Sequence, residues 1–234
     1  MNRAFGAGLL ACLTLFFLIA GPCARSHARA GVDLNLVLAV DCSSSVDEQE
    51  FDLQIRGTAA AFRAAEIHQA IARGEFGVIA VTLVQWSGAD SQFISVPWRR
   101  IRDSASARAL ADEIEGLTRR TDEGSTSISA VITFAADLLA ANPARASRAV
   151  IDIAGDGANN GGIRVDLARD IAVAQGIVVN GLTILNDVQY LHYYFRNHVI
   201  GGSGAFVEIA ADYSDFARAI RKKLLREIHA NLLF

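Results

Sequence analysis

Residues 34–45 read Leu-Asn-Leu-Val-Leu-Ala-Val-Asp-Cys-Ser-Ser-Ser. Leu34 to Val40 is apolar at every position but Asn35, and the run stops at Asp41 and three serines. An apolar stretch of this length, closed by small polar residues, fits a strand buried on both faces, as in a parallel sheet covered by helices. Ala149 to Ala154 reads as another buried strand, and Gly77 to Trp86 and Ile177 to Leu185 add further strands.

Between these strands the apolar residues return at helical spacing. Val46 to Arg73 predicts one long amphipathic helix, with Phe51, Ile55, Ala59 and Phe62 on one stripe and Ser45-x-x-Glu48 as a capping-box spelling at its start. Further helices are expected over Ser106–Leu117, Ile128–Ala141, Val165–Gln175, Val188–Val199 and Tyr213–Ile228. The basic run Arg221-Lys222-Lys223 reads as a last turn that complements the helix dipole. Gln92 to Trp98 follows the Gly77–Trp86 strand after five residues, too few for a crossover, so this pair is expected to be an antiparallel hairpin. Ala205 to Ala210 is a short last strand. The pattern predicts an α/β, doubly wound (Rossmann-like), mostly parallel six-stranded sheet with one antiparallel edge strand and helices on both faces.

Residues 1–30 read as an export signal and residues 31–234 as a single domain. Arg3 precedes an apolar run from Ala4 to Gly21, and Ala28-Arg29-Ala30 spells a cleavage site, with Ala30 or Ala28 as the last residue removed. The apolar run is also long enough for an uncleaved membrane anchor, and no later segment is. The expected location is periplasmic or extracellular. Residues 1–30 carry Arg3, Arg25 and Arg29 and no acid; without them the 22 Lys and Arg become 19 against 25 Asp and Glu, a net charge of −6. That balance argues against a nucleic-acid partner, which needs a basic footprint. Cys12 and Cys23 leave with the signal, so Cys42 has no partner for an intramolecular disulfide and reads as a buried thiol.

Ligands of doubly wound sheets bind beyond the carboxyl ends of the strands, near the point where strand order reverses. Three polar loops are expected there: Asp41–Ser45, Glu123–Ser127 and Gly155–Asn160. Their side chains offer mainly oxygen, which suits hard cations such as Mg²⁺, Mn²⁺ and Ca²⁺. Taken singly, each candidate has a plainer role: Asp41 and its serines as a helix cap, Thr126 as a cap, Asp156 as a turn residue beside Gly157.

Together, Asp41-x-Ser43-x-Ser45, Thr126 within Gly-Ser-Thr, and Asp156-Gly157 resemble the metal-ion-dependent adhesion site of von Willebrand factor A-type (vWA) domains. The resemblance extends over residues 32–228 in element order, and most nearly to an exported bacterial group described as a domain of unknown function. It implies that Ser43, Ser45 and Thr126 ligate a divalent cation, Mg²⁺ first with Mn²⁺ or Ca²⁺ as alternatives, through their hydroxyls. Asp41 and Asp156 would stand close and act partly through water. It further implies a non-enzymatic binding module whose protein partner supplies an exposed Asp or Glu. Two positions depart from the family's habit: Gly155 where threonine is common, and Val46 where methionine is frequent.

Other readings remain open on the residues alone. A hydrolase lacks a G-x-S-x-G elbow and a histidine in any of the three loops, and a metal-assisted phosphatase has only Arg119 and Arg120 nearby as a phosphate clamp. A nucleotide-binding module would need G-x-G-x-x-G where this chain has Asp-Cys-Ser-Ser-Ser. A vWA scaffold without metal is the third alternative. His192, His198, Tyr190, Tyr193 and Tyr194 read as part of an amphipathic helix with partly buried aromatics or as a binding surface, and Asn159-Asn160-Gly161-Gly162 as a flexible segment near the site that either shapes partner recognition or simply turns the chain.

Overall fold

The computed structural model describes residue 1 and residues 31–229; the export signal expected over residues 1–30 falls, but for residue 1, outside the described residues. Six strands, β1 (Leu34–Asp41), β2 (Ile79–Trp86), β3 (Gln92–Ile101), β4 (Ala149–Gly155), β5 (Ile177–Ile184) and β6 (Val207–Ala210), form one sheet in the order β3-β2-β1-β4-β5-β6. Every neighbouring pair is parallel except β2 and β3, the expected hairpin, which puts the antiparallel strand at an edge. Strand order reverses at β1, with β2 on one side and β4 on the other, so the crevice for a ligand opens beyond Asp41 and Gly155.

Side chains of β1 alternate between two cores. Leu34, Leu36, Leu38 and Val40 pack under α1 (Glu48–Arg63), α2 (Ala65–Ala72), α3 (Ser104–Glu115) and α7 (Phe216–His229). Val37 and Ala39 face α4 (Ile128–Ala141), α5 (Val165–Ala174) and α6 (Leu191–Tyr194). Among the described residues no helix is long and apolar enough to cross a membrane.

Four local expectations need correction. The long first helix is two helices, broken at Ala64, whose backbone is extended at φ −70° and ψ 133°. Continued without a break, the stripe through Phe51, Ile55 and Phe62 would next turn Glu66, Gln69 and Arg73 toward the sheet. The break re-registers the chain so that Ile67, Ala70 and Ile71 are buried instead. The capping box is Asp47 with Glu50 rather than Ser45 with Glu48, which releases Ser45 from capping. The expected helix over Val188–Val199 is a single α-turn, α6, that widens into a π-turn at Phe195–Val199. The wider turn keeps Leu191, Phe195 and Val199, four apart, all buried on one line.

The fourth correction concerns Arg221-Lys222-Lys223. α7 runs on to His229, so these residues lie inside the helix. Lys223 is fully buried, 2.5 Å from Asp152 Oδ1 of β4 and 2.6 Å from Glu227 Oε1 one turn on. It ties α7 to the sheet and leaves the helix dipole alone.

Candidate metal centre

β1 ends in Asp41, whose carboxylate is fully buried and accepts the Ser43 N–H at 2.8 Å through Oδ1. This short turn aims Ser43 and Ser45 across the crevice. Their hydroxyls lie 3.3 Å apart, and Thr126 Oγ1 approaches Ser43 Oγ at 3.5 Å from the loop before α4. Ser45 Oγ donates to Asp156 Oδ1 at 2.9 Å from the loop after β4. The five residues singled out in the sequence, from three separate loops, therefore share one hydrogen-bonded cluster. Ser45 is exposed while Asp41, Ser43, Thr126 and Asp156 are buried, so the cluster opens to solvent on the Ser45 side.

The loops carrying these groups are braced by side chains that a motif search passes over. Asn160 Oδ1 accepts the Thr126 N–H at 2.7 Å, and the Asn160 N–H donates back to Thr126 O at 2.9 Å. Asn159 Oδ1 accepts the Ser129 N–H at 3.0 Å in the first turn of α4. The asparagine pair, expected as a flexible turn, instead fixes the second loop to the third. Arg119 Nη2 donates to the carbonyls of Cys42 and Ser43 at 3.1 and 2.8 Å. Gln54 Nε2 donates to Asp41 O at 3.1 Å. Cys42 is buried with its Sγ 3.2 Å from Trp86 O, and burial pushes its thiol up to about 12, which keeps it protonated and unreactive.

Gly155 has a local explanation. A Cβ there would lie 3.1 Å from Asp41 Oδ2 and 3.5 Å from Trp86 Cζ2. The buried Trp86 indole fills the space that a threonine side chain would need, and glycine lets Asp41 come close.

Asp41 and Asp156 face each other with few cations near. Burial, then the charge of Asp156, pushes the Asp41 carboxyl up from 3.8 to about 7. Asp41 Oδ2 is buried and accepts no hydrogen bond. Asp156 differs, because its Oδ2 accepts the hydroxyl of Tyr213 at 3.0 Å. Tyr213 sits in a 3₁₀ turn (Tyr213–Asp215) leading into α7 and is buried, which pushes its phenol well above the usual range and keeps it a donor. It lies 57 residues from Asp156, and nothing in the local sequence points to it.

A divalent cation fits this set. Two carboxylates and three hydroxyls are hard oxygen donors, and Asp41 Oδ2 is an orphaned acceptor whose desolvation a cation would offset. Among the described residues no cluster of three or more His, Cys, Asp or Glu side chains offers a different kind of metal site.

The aromatic segment lies on the same edge of the sheet. Tyr190 and Tyr193 are exposed, whereas Tyr194 is half-buried and its hydroxyl accepts the Asn159 N–H at 3.3 Å.

The fold is shared with solved vWA structures. Proximal thread matrix protein 1 from the mussel byssus superposes with a TM-score of 0.64 at 13% identity, over 84% of this chain and 48% of that one. The same mussel protein in a form with a zinc-occupied MIDAS motif gives a TM-score of 0.59 at 13% identity, over 84% and 48% of the two chains. A von Willebrand factor type A protein from Catenulispora acidiphila gives 0.60 at 15% identity, over 85% of this chain and 43% of that one. This chain thus spans less than half the length of these proteins. No curated protein matches it. This chain has the fold of vWA domains, and its residues 31–232 match the family described as "Protein of unknown function (DUF1194)", so the chain belongs to that family.

Proposed function

We propose that this protein is an exported, non-enzymatic binding module. It holds a divalent cation, Mg²⁺ before Mn²⁺ or Ca²⁺, among Asp41, Ser43, Ser45, Thr126 and Asp156, and binds a protein partner through an acidic side chain that completes the ion's shell. The observation that carries this reading is the buried, unpartnered Asp41 Oδ2 beside a ring of hydroxyls open to solvent at Ser45. Three of the five ligands are neutral hydroxyls, so an ion held mainly by them keeps positive charge that attracts an incoming carboxylate. The zinc-occupied MIDAS of the mussel protein supports the reading by fold alone.

Catalysis fits the site less well. The phosphatase alternative needs a free phosphate clamp, yet Arg119 is engaged by backbone carbonyls and Arg120 lies over the Phe93 ring at 5.4 Å.

Thermal unfolding with excess Mg²⁺, Mn²⁺ or Ca²⁺ against chelator tests the proposal. At about a hundred times its dissociation constant, an ion adds about 2.7 kcal/mol to stability. That rise is expected in the wild type and absent in Asp41→Asn and Thr126→Ala. In chelator, Asp41→Asn should be at least as stable as wild type at pH 8, because a neutral amide replaces an uncompensated buried charge. Equal stabilisation of wild type and both variants by the ion would defeat the proposal.

A further inference from the structure

The two aspartates of the centre are in different states. Both oxygens of Asp156 are engaged, Oδ1 by Ser45 Oγ at 2.9 Å and Oδ2 by Tyr213 OH at 3.0 Å. Asp41 has one oxygen engaged, by the Ser43 N–H, and the other free. An oxygen already accepting an O–H has less electron density to give a cation, and turning it toward one would break that bond. The cost is raised by burial: Tyr213 is 3% exposed, so a hydroxyl released from Asp156 has little access to water.

We infer that Tyr213 is a positioning residue that holds Asp156 back from direct ligation, leaves Asp41 as the charged ligand, and so keeps the bound ion attractive to an external carboxylate. The inference rests on the metal-site reading above. Ser45 holds Asp156 from the solvent-exposed side of the cluster, where water can replace its hydroxyl, whereas Tyr213 holds it from the buried side. The phenol comes from outside all three loops, on the turn that starts α7.

The test uses Tyr213→Phe, which keeps the buried ring and removes only the hydroxyl. Full-length wild type, Tyr213→Phe, Asp156→Asn and the double variant are titrated with Mn²⁺, the waters on the bound ion are followed by water-proton relaxation, and acetate is then added as a carboxylate probe. Circular dichroism in chelator checks that each is folded. With Asp156 freed to ligate, Tyr213→Phe should bind Mn²⁺ about tenfold more tightly, since affinity follows the charge of the ligand set. The bound ion should also carry fewer waters and bind acetate several-fold more weakly. In the Asp156→Asn background the same substitution should change none of these.

A residue that merely supported its neighbour would act in the opposite direction, its loss costing about 10- to 100-fold in ion affinity. Unchanged or weaker Mn²⁺ binding in Tyr213→Phe, or the same shift with Asp156 absent, overturns the inference while leaving the metal site intact. No Mn²⁺ binding by wild type overturns both.

Discussion

Replacing Lys223 with methionine removes the ammonium that lies 2.5 Å from Asp152 Oδ1 and 2.6 Å from Glu227 Oε1, in a pocket where all three side chains are at most 2% exposed. Asn180 donates to Glu227 Oε1 at 2.9 Å, but neither Asp152 Oδ2 nor Glu227 Oε2 accepts a hydrogen bond. Methionine keeps the apolar stem and fills similar volume, so the loss is electrostatic: two buried carboxyls without their cation. Breaking a buried pair from one side costs about 3–5 kcal/mol. For a folded unit of this size each kcal/mol moves the melting temperature by roughly 2–4 °C, which gives a fall of about 6–20 °C. The assay is thermal unfolding followed by circular dichroism at pH 7 in chelator. The triple variant Lys223→Met, Asp152→Asn, Glu227→Gln should recover most of the loss, because no charge is left buried.

The pH dependence carries a second signature of the same cluster. Burial, then the charge of Glu227, pushes Asp152 up from 3.8 to about 7. Between those values the folded chain keeps a proton that the unfolded chain releases, so this group's contribution to stability falls as pH rises from about 4 to about 7. Asp152→Asn should flatten that slope. A Lys223→Met variant as stable as wild type at pH 7, or a triple variant as unstable as the single one, would show that the buried charges do not hold α7 to the sheet.

Two further outcomes follow from the packing and the loops. Gly57 lets α1 approach α7, since a Cβ there would lie 2.9 Å from Phe216 Cδ1 and 3.1 Å from Ala217 Cα; Gly57→Ala should cost about 1–3 kcal/mol in urea unfolding without abolishing ion binding. Asn160→Ala removes the side-chain acceptor for the Thr126 N–H and should weaken ion binding about 10- to 100-fold in a Mn²⁺ titration, with the fold retained.

The parts of the fold that local chemistry decides were legible in the sequence. The apolar runs at Leu34–Val40 and Ala149–Ala154 fall in β1 and β4, and the five-residue connection after Trp86 makes the antiparallel edge. The three site loops stand out because their oxygen side chains interrupt apolar elements, and they do converge. The break at Ala64 carries no proline or glycine; its trace is the polar set Glu66, Gln69 and Arg73, where an unbroken stripe would be apolar. Lys223 was obscured by its charge, since a basic run on a helix ordinarily reads as solvated. Its position seven after Phe216 and four after Ala219, both buried, was the available sign. Tyr213 and the braces from Arg119 and Gln54 were beyond reach, because each depends on which distant strand end lies beside it.

Whether the five residues hold an ion is decided by a crystal structure of the protein grown with Mn²⁺ and read by anomalous scattering at the manganese edge. A single strong peak is expected among the oxygens of Asp41, Ser43, Ser45, Thr126 and Asp156, with Asp41 Oδ2 turned to it and open positions toward solvent at Ser45. A peak elsewhere, or none at saturating Mn²⁺ with Ser45 still bonded to Asp156 and Asp41 Oδ2 still unpartnered, would contradict it.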